Sequence, residues 1–229
     1  MKQYKLLPII TGLFVAVLII SNILDAKVFQ LFDFGFMALG SLTMPAGVLI
    51  FPLGYVFGDI LTEVYGYAAS RKVIWTGFAS LMLFIVFSWL AIQLPAGDGW
   101  NLSHEYNTIL GHMPRIMTAS MIAYFAGEFV NSFVLAKMKL WQRGKSMAGR
   151  FFVSTLFGQL FDTGVFVLIA FAGVLPTYTL VSVFLSAWLF KVLWETIALP
   201  VSVPFVRWVK RIENEDYFDK KTNFNPFRI

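Results

Sequence analysis

Six stretches of the chain stay apolar for about the 20 residues that a spanning helix needs: roughly 7–25, 43–65, 73–93, 114–136, 151–173 and 178–208. They predict an all-α integral membrane protein, one transmembrane domain over residues 1–229 built as a six-helix bundle. Spans two, three and five lack the polar face that a soluble helix would show, which argues against buried helices of a water-soluble fold. Between the spans lie a tight turn at 66–72, a polar loop at 94–113, a basic loop at 137–150 and a short turn near Pro176. Segment 26–42 is apolar, too short to span and interrupted by glycine; it is expected at the interface, or packed back as a short strand or helix. The last span is long enough to tilt or to project into the cytoplasm. Lys2 and Lys5 precede the first run as they would in a cleavable leader, but the run leads into Ser21-Asn22-Ile23-Leu24-Asp25 without a small-x-small site. It is therefore read as a retained helix.

Charge placement orients the bundle. With the N-terminus inside, fifteen lysines and arginines fall on the cytoplasmic side, Lys27 and Arg115 fall outside, and Lys191 sits within span six. This bias places both termini in the cytoplasm, which requires an even number of spans. Charged residues are 14% of the chain against 58% hydrophobic, whereas soluble domains carry roughly a quarter charged. The net charge of +5 does not indicate nucleic acid, because the basic residues sit in short loops between apolar runs. There are no cysteines, hence no disulfide and no thiolate metal site. His104 and His112 are eight apart around Glu105, poor spacing for a metal, and are read as solvated; no cofactor is expected.

The chemistry lies in polar groups within the spans. A carboxylate at the bilayer centre costs about 2.5–3.5 kcal/mol on insertion scales. Here Asp59 and Glu63 lie in span two, Glu128 in span four, Asp162 in span five, and Lys191 with Glu195 in span six. Such groups are expected to face an interior cavity on a transport path. Asp59, Glu63 and Tyr55 share one helix face; Thr155, Gln159 and Asp162 form an i, i+4, i+7 stripe; Tyr124, Glu128 and Asn131 form another. By rise per residue Asp162 sits near the midplane, with Asp59, Glu63, Glu128 and Glu195 toward the cytoplasmic half. Lys191 and Glu195, four apart, read either as an ion pair within their helix or as ligand contacts. Glu63 reads either as a partner of Arg71 or Lys72 near the surface or as part of the site. Asp162, deepest and with no cation near it in sequence, is read as functional. Span two also carries Pro45, Gly47, Pro52, Gly54 and Gly58. Proline frees carbonyls that must be satisfied inside the bundle, and Gly54–Gly58 is a close-packing pair. The stretch 53–59 of span two echoes 157–162 of span five with one residue of slip, as a 3+3 inverted repeat would produce.

The same segments carry a family resemblance. FPLGYVFGDILTEVYGYAASRKVI (51–74) and STLFGQLFDTGVFVLIAF (154–171) resemble the two signature regions of the queuosine precursor transporter family, within the vitamin uptake transporter group; Ser21-Asn22 also fits. The resemblance runs over most of residues 10–210. It implies six helices, an inner or plasma membrane location, and uptake of 7-deazaguanines for tRNA modification: 7-cyano-7-deazaguanine, 7-aminomethyl-7-deazaguanine or queuine. A guanine-like edge presents two adjacent donors, which one carboxylate accepts in bidentate fashion. Asp162 and Asp59 are the candidate acceptors. The ring carbonyl needs a donor such as Asn22, Gln159 or Lys191. The flat ring can stack on Tyr55, Phe51 or Trp188. An aminomethyl cation would need Glu128 or Glu195. Glu63, Thr155 and Asn131 are kept for substrate or coupling.

Two other readings remain open: a membrane subunit that binds substrate for a separate ATPase, and an intramembrane enzyme. The chain has no Walker motif and so cannot hydrolyse ATP by that route, and it shows no protease, transferase or metal signature. The expected partners are a small-molecule substrate, the lipid bilayer and, open at this point, a second copy of the chain in a homodimer.

Overall fold

The computed structural model describes residues 4–24, 27–33, 41–111, 114–174 and 176–228. Five of its helices are long and apolar enough to cross a membrane: α1 (Leu7–Leu24), α3 (Tyr67–Gln93), α5 (Pro114–Trp141, apolar from Thr118), α6 (Met147–Phe171) and α7 (Thr177–Glu213). The described residues also form two shorter helices, α2 (Phe51–Tyr65) and α4 (Ser103–Gly111). Large apolar side chains face outward, among them Leu83, Phe87, Leu168, Leu193 and Val201, while Asp59, Glu63, Glu128, Arg150, Asp162 and Glu195 are buried. An apolar exterior around a polar interior suits hydrocarbon and would be a liability in water.

Span two departs most from the sequence reading. Its helix begins only at Phe51, and residues 41–50 form β2 (Ser41–Pro45) and a 3-10 turn (Ala46–Leu49). Pro45 and Pro52 account for this, because proline disfavours helix in the residue before it and suits a helix's first turn. At 15 residues α2 is about 22 Å long, short of the ~30 Å hydrocarbon core. Strand β1 (Val28–Asp33) pairs antiparallel with β2, so the ends of segment 26–42 do pack back as a hairpin, its tip lying outside the described residues. The turn expected at 66–72 shrinks to Gly66, with α3 starting at Tyr67. Gly66 has φ +84°, and the Tyr217 ring lies against it where any Cβ would stand; both demand glycine. The polar loop 94–113 contains α4.

Close helix crossings set the interior. A Cβ on Gly127 of α5 would stand 2.6 Å from the Cβ of Asp162 and 3.1 Å from the carbonyl oxygen of Gly158 on α6. One on Gly158 would stand 2.8 Å from the Cβ of Asn131. These two glycines let α5 and α6 touch backbone to backbone and bring the stripes of both helices together. Of the pair seen in sequence, Gly58 is tight, its Cβ position 2.9 Å from Oε2 of Glu128, whereas Gly54 meets Val17 at an ordinary 3.7 Å.

The chain beyond α7 straps one end of the bundle. Asp219 accepts the Tyr67 N–H at the start of α3 through both oxygens, 3.1 Å each. Arg71 donates to the carbonyls of Asn223 and Asn225 at 2.8 Å, and Trp75 Nε1 to that of Pro226 at 2.9 Å. Glu213 accepts from the Lys5 and Leu6 N–H groups and from the Tyr65 hydroxyl. The acidic stretch Glu213–Asp219, which matches no motif, is thus a tie between both chain ends and the α2–α3 turn. A tag after Ile229 is expected in the cytoplasm and one near Gly99 outside. A Gly99 tag labelled only from the cytoplasmic side would overturn that orientation.

Candidate functional site

Among the described residues, three of the polar clusters inside the bundle are built around the carboxylates singled out in the sequence. The first is built by α6 and α7. Asp162, one turn beyond Gly158, accepts a hydrogen bond from Lys191 Nζ at 2.6 Å. Glu195, one turn further along α7, is held by neutral donors: Thr155 Oγ1 and Gln159 Nε2 each reach one carboxylate oxygen at 2.6 Å. Lys191, read in sequence as a partner of Glu195 within their own helix, forms its ion pair with Asp162 of α6 and acts on Glu195 through its charge. Helix α6 offers Asp162 opposite Lys191 and a hydroxyl and amide opposite Glu195, so each acidic or basic group finds a partner across the interface. The α6 stripe therefore faces α7, with Gln159 fully buried and Asp162 and Thr155 nearly so.

The second cluster joins α2 to α5. Asn131 Nδ2 donates to Asp59 Oδ1 at 3.2 Å. Glu128, one turn earlier on α5, lies against Gly58. Between the two clusters a small cavity of about 10 Å³ is lined by Tyr55, Asp59, Thr155, Glu195 and Ser202 among others. That is room for about one water. The wall facing Asp59 carries Glu195 and Thr155, and Asp162 does not line it. In this conformation no opening for a purine-sized ligand exists at the cavity, so a ligand of that size enters by displacing side chains or by helix movement.

The third cluster is Glu63, fully buried near the end of α2. Arg150 grips it with two bonds, Nε at 2.7 Å and Nη2 at 2.6 Å, and Lys210 donates to Oε1. Lys139 stands 3.6 Å from the same oxygen and donates to the main-chain carbonyl of Glu63, one of the orphan acceptors of a helix end. Asp216 bridges Lys139 and Lys210. Burial works against the ionised Asp216 carboxyl, but hydrogen bonds from these two lysines hold it below the ordinary carboxylate range. The expected pairing of Glu63 with Arg71 or Lys72 is replaced: Arg71 reaches the C-terminal strap, and α5, α6 and α7 converge on Glu63. Sequence reading counted Arg150, Lys139 and Lys210 as loop charges. The available signal was that Arg150 begins an otherwise apolar span.

Of the other candidates, Asn22 and Trp188 lie apart from these clusters, and Tyr55 stands between them. Asn22 donates to the Leu18 carbonyl at 2.8 Å and accepts from Ser120 at 3.3 Å, joining α1 to α5. The Trp188 indole donates to the Leu156 carbonyl at 3.1 Å and stacks on Phe184. Tyr55 is buried at the cavity wall and lies within reach of Gln159. The side chain of Phe51, and His112 altogether, lie outside the described residues. Among the described residues no group of three His, Cys, Asp or Glu has metal-binding spacing.

Membrane-crossing helices that bury ion pairs and hydrogen-bonded carboxylates around a small cavity define a multi-pass membrane protein with a polar interior. Residues 45–205 match the family described as "putative vitamin uptake transporter", and the chain belongs to that family. It is similar to the "probable queuosine precursor transporter" of Bacillus subtilis (strain 168), with 29% identity over 171 residues, 71% of each chain. No solved structure matches the chain.

Proposed function

We infer that this membrane transporter imports 7-deazaguanine precursors of queuosine across the plasma or inner membrane, with the α6–α7 cluster as its recognition site. The observation that carries the reading is the arrangement of Asp162–Lys191 beside Glu195–Gln159–Thr155. A guanine-like edge needs an acceptor pair for its ring N–H and exocyclic amine, and a donor for its carbonyl. Asp162 offers the acceptor and Lys191 the donor, and they satisfy each other until a ligand comes between them. Glu195, whose oxygens are held by two neutral donors, supplies a second acceptor to the same layer. The name of the Bacillus relative supports this substrate class. Tyr55 at the cavity wall offers an aromatic face for the ring.

The test is uptake of labelled 7-cyano-7-deazaguanine, 7-aminomethyl-7-deazaguanine and queuine into liposomes containing this protein alone. Saturable uptake of at least one, competed by guanine-edge analogues and not by analogues lacking the exocyclic amine, is expected. Uptake that appears only with an added ATPase module would make the chain a binding subunit instead.

A further inference from the structure

We propose that Glu128 is a proton-binding site that couples substrate import to the proton gradient, separate from the Asp162–Lys191 pair and reached from the cavity through Asp59 and Asn131. The proposal rests on the transporter reading above, and its evidence is geometric. Glu128 is 4% exposed, and its Oε2 has no hydrogen-bond partner among the described residues. Asn131, one turn further along the same helix face and fully buried, gives its Nδ2 to Asp59, while its Oδ1 is likewise unpartnered. An ionised carboxylate and an amide oxygen are both acceptors only and cannot satisfy each other. An unpaired buried ion is costly, and a single added proton converts Glu128 from a second acceptor into a donor.

Among the described residues the surroundings provide no other counter-charge. Asp59 faces Glu128 from α2, Asp162 from α6 and Glu195 from α7. Tyr55 of α2 is close to the same carboxyls, and Tyr124, on Glu128's own helix, donates to the Ile74 carbonyl. Of the cations, Lys191 is on Asp162 and Arg150 is on Glu63. Helix α1 contains no titratable residue, and α3 none after Lys72. A metal cation is a poor fit, because Gly58 presses so closely that a Cβ there would stand 2.9 Å from Oε2. A proton needs no such room. Asp59 lines the water-sized cavity and is bonded to Asn131, so it is the group through which a proton passes between cavity and Glu128. The step makes and breaks only one O–H bond: Glu128 takes a proton from the outside, carries it as the neutral acid while substrate is bound, and releases it to the cytoplasm.

Two measurements test this. In liposomes without other proteins, the ratio of net 7-cyano-7-deazaguanine uptake under an acid-outside gradient to exchange at equal pH is expected to be severalfold above one. In E128Q that ratio is expected to fall to one, whatever the absolute exchange rate. Independently of any substrate, the infrared spectrum of the wild-type protein at neutral pH is expected to show the C=O stretch of a protonated carboxyl that E128Q removes. Should E128Q not fold, Glu128→Asp is expected to shift that band. A sodium gradient that drives uptake at equal pH, an E128Q ratio equal to wild type, or a wild-type spectrum with no such band each overturns the proposal; the last is the result if a buried water, not a proton, reconciles Glu128 with Asn131. Failure of both proteins to exchange the deazaguanine while the band is present tells against the substrate and supports the proton site.

Discussion

Glu63→Gln is expected to lower the stability of the solubilised protein by about 3–5 kcal/mol, the usual cost of removing one partner from a buried ion pair. The reason is the number of groups that depend on this carboxylate. Arg150 is fully buried and gives it two bonds, Lys210 gives a third, and Lys139, 1% exposed, stands close by. With Glu63 neutral, Arg150 keeps only the Lys145 carbonyl, and the two lysines are left with Asp216, whose side chain is half exposed. The effect is therefore expected to exceed that of Asp59→Asn, whose hydrogen bond is to the neutral amide of Asn131. A double variant, Glu63→Gln with Arg150→Gln, removes one charge of each sign and is expected to recover part of the loss. Thermal unfolding of the single and double variants in one detergent decides the matter. A single variant that melts with the wild type would mean that water, not Glu63, stabilises the three cations.

Much of the bundle was legible because the apolar runs are long and a bilayer leaves few alternatives to helix. Helices α1, α3, α5, α6 and α7 lie where their runs lie, with ends moved by a few residues. Span two was misjudged because its apolar character continues through Pro45 and Gly47, where the backbone leaves helix; hydropathy does not register that and proline does. The polar stripes were also legible, since i, i+4, i+7 spacing reports a face whatever lies opposite. Their partners were not. Lys191 and Glu195 have good spacing for a pair within α7, yet each finds its partner on α6, because the crossing at Gly127 and Gly158 fixes how α6 sits. Nothing in the local sequence reports that crossing: the two glycines lie on different helices and form no spaced motif. The strap of residues 214–228 was invisible for a similar reason. Many of its bonds run from main-chain carbonyls to Arg71, Trp75 and Lys139, and such bonds leave little trace in side-chain pattern.

Asp162→Asn is expected to weaken binding of 7-cyano-7-deazaguanine roughly 10- to 100-fold, the equivalent of a lost charge-assisted hydrogen bond of about 1.5–3 kcal/mol. An amide offers one acceptor oxygen where the carboxylate offers two, so a bidentate edge contact cannot form. Asp162→Ala is expected to abolish binding while the protein still inserts. The structure supplies a sharp rival: Asp162 is bonded to Lys191, and its role could be to neutralise that lysine and nothing more. The two roles separate in the double variant Asp162→Asn with Lys191→Met. If Asp162 serves only as a counter-ion, the double variant regains thermal stability and binds as well as Lys191→Met alone. If Asp162 receives the base edge, the double variant regains stability, because neither member of the pair is left without the other, and binds more weakly than Lys191→Met alone. The second outcome is expected, since the base edge has then lost the carboxylate that accepts its two donors. Analogues sharpen the assignment. A 7-deazapurine without the exocyclic amine is expected to bind wild type weakly and to lose little further affinity in Asp162→Asn, because the contact that the mutation removes is already gone. Binding by the double variant equal to that of Lys191→Met alone, or an undiminished loss with the amine-free analogue, would remove Asp162 from the recognition site and leave it as the partner of Lys191.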